Sequence, residues 1–207
     1  MIECFNLEGK FVCSYIGTIG MSCGLDVVLR TAELLKKNKR DEIIFLLVGD
    51  GALKKRLEKE AGEKKLDNII FAGRQDKKLI SAFLSISDVC LVHLKKADTF
   101  KTVLPSKIFE AAAMQKPIIL GVEGNAAELI RKANGGTCIE PENAEQLFSA
   151  VCRLADDSEL RQVCGRAGQQ YIIEHHNRNR LADEYLDVIA RVCNNGSFVE
   201  TACLEGK

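Results

Sequence analysis

The chain of 207 residues has no tryptophan and only three tyrosines, which disfavours a platform that binds nucleic acid by base stacking. It also has no excess of basic residues. Lys plus Arg and Asp plus Glu each number 29, so the net charge is zero and the basic surface that nucleic-acid binding needs is missing. No apolar run approaches the roughly 18 residues of a membrane-spanning helix, and no signal-peptide pattern opens the sequence. We therefore expect a protein that neither binds nucleic acid nor spans a membrane by itself.

Cysteine is plentiful, with nine residues, but its spacing excludes the common cysteine sites. No two cysteines stand at the C-x-x-C spacing of zinc and redox sites, so we expect no metal centre. Cys90 lies inside the apolar run Val89–Val92, where a reduced thiol behaves as a small hydrophobic side chain. This usage favours a cytoplasmic protein without disulfides.

Short apolar runs alternate along the chain with stretches of helical periodicity. Ile43–Val48, for example, is continuously apolar and stops at Gly49, a pattern typical of a parallel strand covered on both faces. The alternation predicts an α/β fold, a Rossmann-like parallel sheet with helices on both faces. The predicted strands are Phe11–Ile16, Ile43–Val48, Ile69–Ala72, Val89–His93, Ile118–Val122 and Thr137–Ile139.

The same pattern sets the expected domain boundaries. Residues 10–193 are predicted to form one Rossmann-like domain. Residues 1–9 are expected to be peripheral. Residues 194–207 are expected to form a flexible tail, because they are polar and contain glycine.

Glycine-containing segments follow the first three predicted strands. In an open α/β sheet, ligands bind at the carboxyl ends of the strands, and glycine lets backbone N–H groups approach a phosphate. Taken singly, the first segment is explained equally well by a plain turn, whereas a structural turn is favoured for the second and a solvated charged loop for the third. The segments are Gly17-Thr18-Ile19-Gly20, Gly49-Asp50-Gly51 and Gly73-Arg74-Gln75-Asp76.

The segment Leu104–Leu120 places a charged pair, Lys107 and Glu110, in the first turn of a helix that is otherwise apolar and small. A carboxylate buried in such a helix needs a partner or a ligand. Lys107 offers an ammonium group to an anion, and Glu110 offers oxygens to a ribose diol. An internal Lys–Glu pair at a spacing of three residues explains the pattern equally well.

Taken in chain order, these loops resemble the C-terminal half of a family 4 glycosyltransferase, which has the two-Rossmann GT-B fold. The resemblance covers about residues 10–192 and is greatest to bacterial transferases that build O-antigen or capsule, including N-acetyl-fucosamine transferases. The matching segments are Tyr15–Gly20, Gly24–Asp26, Leu47–Gly51, Phe71–Arg74, Ser87–Val89, Pro105–Ala111 and Lys116–Ile118.

The resemblance implies a substrate and a site. The C-terminal half of such enzymes binds a nucleotide sugar, most often a uridine diphosphate sugar, with no cofactor. By position, Glu110 would hold the ribose hydroxyls and the backbone at Gly73 and Arg74 would meet the base. The diphosphate would lie near Gly17, Thr18, Gly20, Lys107 and Ser106, with Ser106 capping the helix. No catalytic residue is assigned.

The chain departs from the family pattern in three ways. Thr102 stands where the family often has a second Glu, which contacts the donor sugar. The loop Gly20–Gly24 lacks the Arg and Lys that often hold the diphosphate, so Arg74, Lys77, Lys95, Lys101 and Lys107 are the candidate substitutes. Because the first predicted strand begins near residue 11, we also expect this chain to lack the N-terminal, acceptor-binding domain of the fold.

The expected function is therefore the donor-binding domain of a retaining glycosyltransferase for surface polysaccharide synthesis, inactive by itself. In the full-length enzyme, the resemblance implies a lipid-linked acceptor and a peripheral position at the inner membrane. Two alternatives remain open. One is a non-catalytic Rossmann-like module that pairs with a separate subunit. The other is half of a sugar-nucleotide epimerase, for which His93 is the cleft candidate.

Overall fold

The computed structural model describes residues 2–202, which contain six parallel strands and eight α-helices. The strands are β1 (Phe11–Ile16), β2 (Ile43–Val48), β3 (Ile69–Gly73), β4 (Val89–His93), β5 (Ile118–Gly121) and β6 (Gly136–Cys138). The helices are α1 (Asp26–Lys37), α2 (Lys54–Glu63), α3 (Ile80–Ser85), α4 (Lys107–Ala113), α5 (Asn125–Ala133), α6 (Ala144–Asp156), α7 (Ser158–His175) and α8 (Arg178–Ala202). Short 3₁₀ turns lie at Glu3–Phe5, Met21–Cys23, Lys77–Leu79 and Asp98–Phe100.

The strands form one sheet in the order β3-β2-β1-β4-β5-β6, and every neighbouring pair is parallel. The order changes direction between β1 and β4. In sheets of this kind, the crevice at the carboxyl ends of two such strands is the usual place for a ligand. The Rossmann-like prediction is confirmed, and the switch point directs attention to the loops after β1 and β4.

Both faces of the sheet are covered, as the apolar runs predicted. Every residue of β2 is buried. One face packs against α1 and α6 through residues such as Leu35 and Leu147. The other face carries a smaller cluster that includes Leu46, Val48 and Phe83.

The N-terminal segment, predicted to be peripheral, contributes to that smaller cluster. Leu7 is buried in it, and the ring of Phe5 lies 6.0 Å from the ring of Phe83. Burial of Leu7 removes apolar surface from water and so helps to hold the segment against the sheet.

The chain divides into two compact units, one up to Gln170 and one from Tyr171 onward. The division falls inside α7 and inside the predicted domain of residues 10–193. Residues 194–202 of the predicted tail are helical as the end of α8. The rest of that tail lies outside the described residues.

Candidate functional site

The loops after β1 and β2 approach each other closely at the carboxyl edge of the sheet. Gly17 and Gly49 have φ angles of +142° and +146°. A β-carbon on Gly49 would lie 2.8 Å from the carbonyl carbon of Gly17, so only glycine fits there. The loops therefore meet through bare backbone, which exposes peptide groups rather than side chains at this edge.

A cavity of about 440 Å³ opens at this meeting point. Its volume is in the range of small-molecule sites. Backbone and aliphatic groups form much of its wall, and Arg74 and Lys77 bring positive charge from the segment after β3. Its lining residues are Ile16, Gly17, Thr18, Val48, Gly49, Asp50, Arg74, Gln75, Lys77 and Ile80.

Lys107, at the start of α4, extends over the loop after β1. A β-carbon on Gly17 would lie 2.5 Å from Cε and 2.7 Å from Nζ of Lys107. The same ammonium lies 4.9 Å from the centre of the Tyr15 ring, a cation–π distance. Lys107 thus holds a positive charge beside the glycine loop.

Glu110 lies on the same helix, but its surroundings differ from those expected. Glu110 is exposed, so the prediction that it is buried and therefore needs a partner or a ligand is wrong. Within residues 2–202, no ion pair joins it to Lys107. Both side chains line a small void that also includes Ile16, a residue shared with the larger cavity. The internal-pair explanation therefore has no support, and the carboxylate is open to a ligand.

The structure also corrects the expected helix cap. Ser106 occupies the N-cap position of α4, yet its side chain makes no capping hydrogen bond because its backbone is already helical, with φ −56° and ψ −27°. Gly20 and Gly73 lie outside the lining of both cavities. Gly73 acts through its backbone instead, since its carbonyl accepts a hydrogen bond from the Gly49 N–H at 2.8 Å.

Thr102 is exposed in the segment between β4 and α4. The neighbouring Lys101 fixes this segment to the loop after β5. Its carbonyl accepts the Asn125 N–H at 2.8 Å, and its ammonium lies 2.7 Å from Asp98 and 4.0 Å from Glu123. With two acidic neighbours, Lys101 is a poorer candidate for a diphosphate than Lys107.

His93, the cleft candidate of the epimerase alternative, is a buried structural residue. Its Nε2 accepts the backbone N–H of Glu142 at 2.8 Å, and its Nδ1 lies 2.7 Å from the carbonyl oxygen of Cys23. Because an N–H can only donate, Nε2 is unprotonated and Nδ1 carries the proton. Burial lowers the pKa of this ring below its usual value. His93 therefore joins the loops after β1 and β6 and presents no free nitrogen.

Residues 2–202 contain no group of three or more His, Cys, Asp or Glu placed to hold a metal ion. Over the same residues, no helix has the length and apolar character needed to cross a bilayer. The eight cysteines in this range are free.

Comparison with known proteins identifies the domain. A family model described as "Glycosyl transferases group 1" matches residues 5–171. The chain belongs to this family. The glycosyltransferase domain is 33% identical to the putative colanic acid biosynthesis glycosyl transferase WcaI of Escherichia coli K12 over 148 residues, or 70% of this chain and 35% of the relative. It is 23% identical to an uncharacterized glycosyltransferase, MJ1069, of Methanocaldococcus jannaschii over 189 residues, or 91% of this chain and 47% of the relative.

The chain thus spans about a third to a half of the curated relatives it matches. Solved glycosyltransferase structures also match this chain over part or most of their length. The glycosyltransferase domain superposes on Anabaena HepE in complex with UDP with a TM-score of 0.79 at 14% identity, covering 92% of this chain and 51% of that one. It also superposes on the C-terminal domain of LpcC, a group 1 glycosyl transferase from Francisella tularensis, with a TM-score of 0.67 at 22% identity, covering 82% and 88%. These similarities show that this chain has the Rossmann-like fold found in GT-B glycosyltransferases.

The structure brings together some of the predicted site residues. Gly17, Thr18 and Arg74 line one cavity, and Lys107 and Glu110 line the adjoining void. Gln75 was missed, although it stands beside Arg74 in a segment that the sequence had singled out. A neutral amide in a loop carries no signal of its own, so only the folded cavity identifies it.

Proposed function

We propose that this domain binds a nucleotide sugar with a uridine diphosphate leaving group, as the donor half of a retaining glycosyltransferase. The observation that carries the proposal is a pair of cavities at the carboxyl edge that share Ile16 in their walls. One has the volume of a ligand site, and the other places an open carboxylate and an ammonium group beside it. HepE and TarM, two of its structural neighbours, have been crystallised in complex with UDP, which supports the choice of nucleotide.

In this proposal, each residue acts through ordinary chemistry. Glu110 accepts hydrogen bonds from the two ribose hydroxyls, because a carboxylate has free lone pairs and no donor. Lys107 lies next to the bare backbone of Gly17, so it can neutralise the diphosphate that leaves with the sugar transfer. The base occupies the 440 Å³ cavity beside Arg74 and the end of β3.

The proposal extends to the whole enzyme through the names of its relatives. WcaI is described as acting in colanic acid biosynthesis, and another relative is an O-antigen chain mannosyltransferase of Escherichia coli. We propose synthesis of a bacterial surface polysaccharide on a lipid-linked acceptor by a cytoplasmic enzyme peripheral to the inner membrane. A transferase specific for N-acetyl-fucosamine is one form of this proposal. The acceptor site then lies in the half of the relatives that this chain does not span, so the domain alone turns over no donor. We further propose that donor binding needs no cofactor.

Titration calorimetry of the domain with UDP, GDP and ADP tests the proposal. We expect UDP to bind and Glu110→Ala to weaken it about tenfold, which corresponds to about 1.4 kcal/mol. Glu159→Ala is the matched control, because Glu159 is also an exposed glutamate in the first turn of a helix but lies outside both cavities. Absence of binding to all three nucleotides would refute the proposal. An unchanged affinity in Glu110→Ala would refute the ribose assignment alone.

A further inference from the structure

The side-chain amide of Gln75 is fixed at the wall of the 440 Å³ cavity. Its Nε2 donates to the carbonyl oxygen of Ala72 at 2.6 Å. Rotating the amide by half a turn would bring two carbonyl oxygens together, so this bond determines which end of the amide is which. The atom left for a ligand is Oε1, a hydrogen-bond acceptor with two lone pairs.

The surroundings of Gln75 suit a flat heterocycle with a polar edge. Ile16, Val48 and Ile80 supply aliphatic surface, and Gly17 and Gly49 expose backbone without side chains. Arg74, the preceding residue, lines the same cavity and carries five N–H donors. The wall of this partly apolar cavity therefore includes the Oε1 acceptor of Gln75 and, from the preceding residue, the N–H donors of Arg74.

Building on the proposed function, we propose that Gln75 reads the nucleobase, its Oε1 accepting the N3–H of uracil. Uracil carries that N–H between two carbonyl oxygens, and base edges are recognised in proteins by hydrogen bonds of this kind. Adenine presents an unprotonated ring nitrogen at the corresponding edge, which would oppose the fixed oxygen of Gln75. Gln75 is then a specificity-determining residue for the donor.

Another acceptor lines the cavity, the carboxylate of Asp50. Its Oδ1 already accepts the backbone N–H of Gly51 at 2.8 Å, and the side chain is exposed, whereas Gln75 is half-buried. Water competes less for the oxygen of Gln75, so the bond to the base is stronger there.

The test compares UDP with N3-methyl-UDP, which lacks the proton in question. In the wild-type domain, we expect methylation to weaken binding at least tenfold, the effect of losing one hydrogen bond to a partly buried partner. In Gln75→Ala, we expect UDP to bind about tenfold more weakly and the preference for UDP over its methylated form to disappear. Gln162→Ala is the control, since Gln162 is an exposed glutamine of α7 outside the cavity. We expect its affinities to be unchanged.

The outcomes separate the two proposals. Binding of N3-methyl-UDP to Gln75→Ala shows that the variant folds with an intact site. If wild type binds UDP and Gln75→Ala keeps the full preference for it, the role of Gln75 is refuted and the proposed function stands. If the preference disappears in Asp50→Ala instead, the acceptor is Asp50 and the inference is likewise overturned. If wild type binds no UDP, both proposals fail.

Discussion

Replacing Gly165 of α7 by alanine is expected to destabilise the protein, against the usual effect of this change in a helix. Glycine in a helix interior costs about 0.5–1 kcal/mol relative to alanine, so the substitution normally stabilises. Gly165, however, is buried against the loop after α4. A β-carbon there would lie 2.9 Å from the carbonyl carbon of Gln115 and closer still to its oxygen.

The size of the effect follows from that overlap. Carbon atoms normally approach to about 3.5–4.0 Å, so the helix or the loop has to move by about 1 Å. Because the clash is with backbone atoms, which cannot move aside as a side chain can, we expect a cost at the upper end of the usual range for overpacking, about 3 kcal/mol. After the helical gain is subtracted, we expect a net loss of about 2 kcal/mol in the free energy of unfolding. For a chain of this length, that lowers the melting temperature by about 4–8 °C.

Two other helical glycines serve as matched controls for the same substitution. At Gly62 of α2, a β-carbon would meet nothing within 4 Å, so Gly62→Ala is expected to stabilise by about 0.5–1 kcal/mol. At Gly168, it would lie 3.3 Å from the Cα of Gly135, a milder contact that leaves the net effect near zero. Thermal unfolding followed by circular dichroism, with urea unfolding as a second measure, ranks the three variants. A Gly165→Ala protein as stable as the Gly62→Ala protein would refute the packing argument.

Two further predictions concern His93 and Lys107. Burial lowers the pKa of His93 in the folded state, so the unfolded state binds more protons below pH 6.5. The free energy of unfolding should therefore fall as the pH drops from 6.5 toward about 5. Urea titrations across that range measure this slope. Replacing His175 and His176 by asparagine should leave the slope in place, and a flat profile in either protein would contradict the assignment to His93. Lys107→Met should weaken UDP binding about tenfold, the value of a charge-assisted hydrogen bond, and leave uridine binding unchanged. Calorimetry at low and high salt should show a shallower salt dependence for the variant, and an equal loss for uridine would remove Lys107 from the diphosphate.

The strands could be predicted closely because each one is a buried apolar run with a glycine or polar residue at its end. Phe11–Ile16, Ile43–Val48 and Val89–His93 have the bounds that the sequence indicated. In a sheet covered on both faces, hydrophobicity continues along the strand and stops where the chain leaves the sheet. The family could be recognised from the sequence because several of its motifs lie at the ends of these strands.

The environment of single side chains could not be predicted in this way. Glu110 was expected to be buried on an apolar helix, but α4 is only seven residues long and buries Ile108, Ala111 and Ala112 instead. One residue of difference around a helix moves a side chain by about 100°, which is enough to exchange core for solvent. Gln75 escaped notice because its role depends on a hydrogen bond to Ala72 that no sequence pattern encodes.

The direction of Lys107 accounts for the most puzzling departure of the sequence, the absence of charge in the loop after β1. A cation in that loop would have to be carried by a flexible surface segment. Here the charge comes from α4, where packing of Ile108 into the core fixes the start of the helix, and the ammonium group crosses to lie over Gly17. Glycine suits residue 17 because its φ of +142° is one that residues with side chains rarely adopt, and because a β-carbon there would displace the end of the Lys107 side chain. The uncharged glycine loop and the lysine of α4 are therefore two parts of one arrangement, in which bare backbone makes room for a cation supplied by another element.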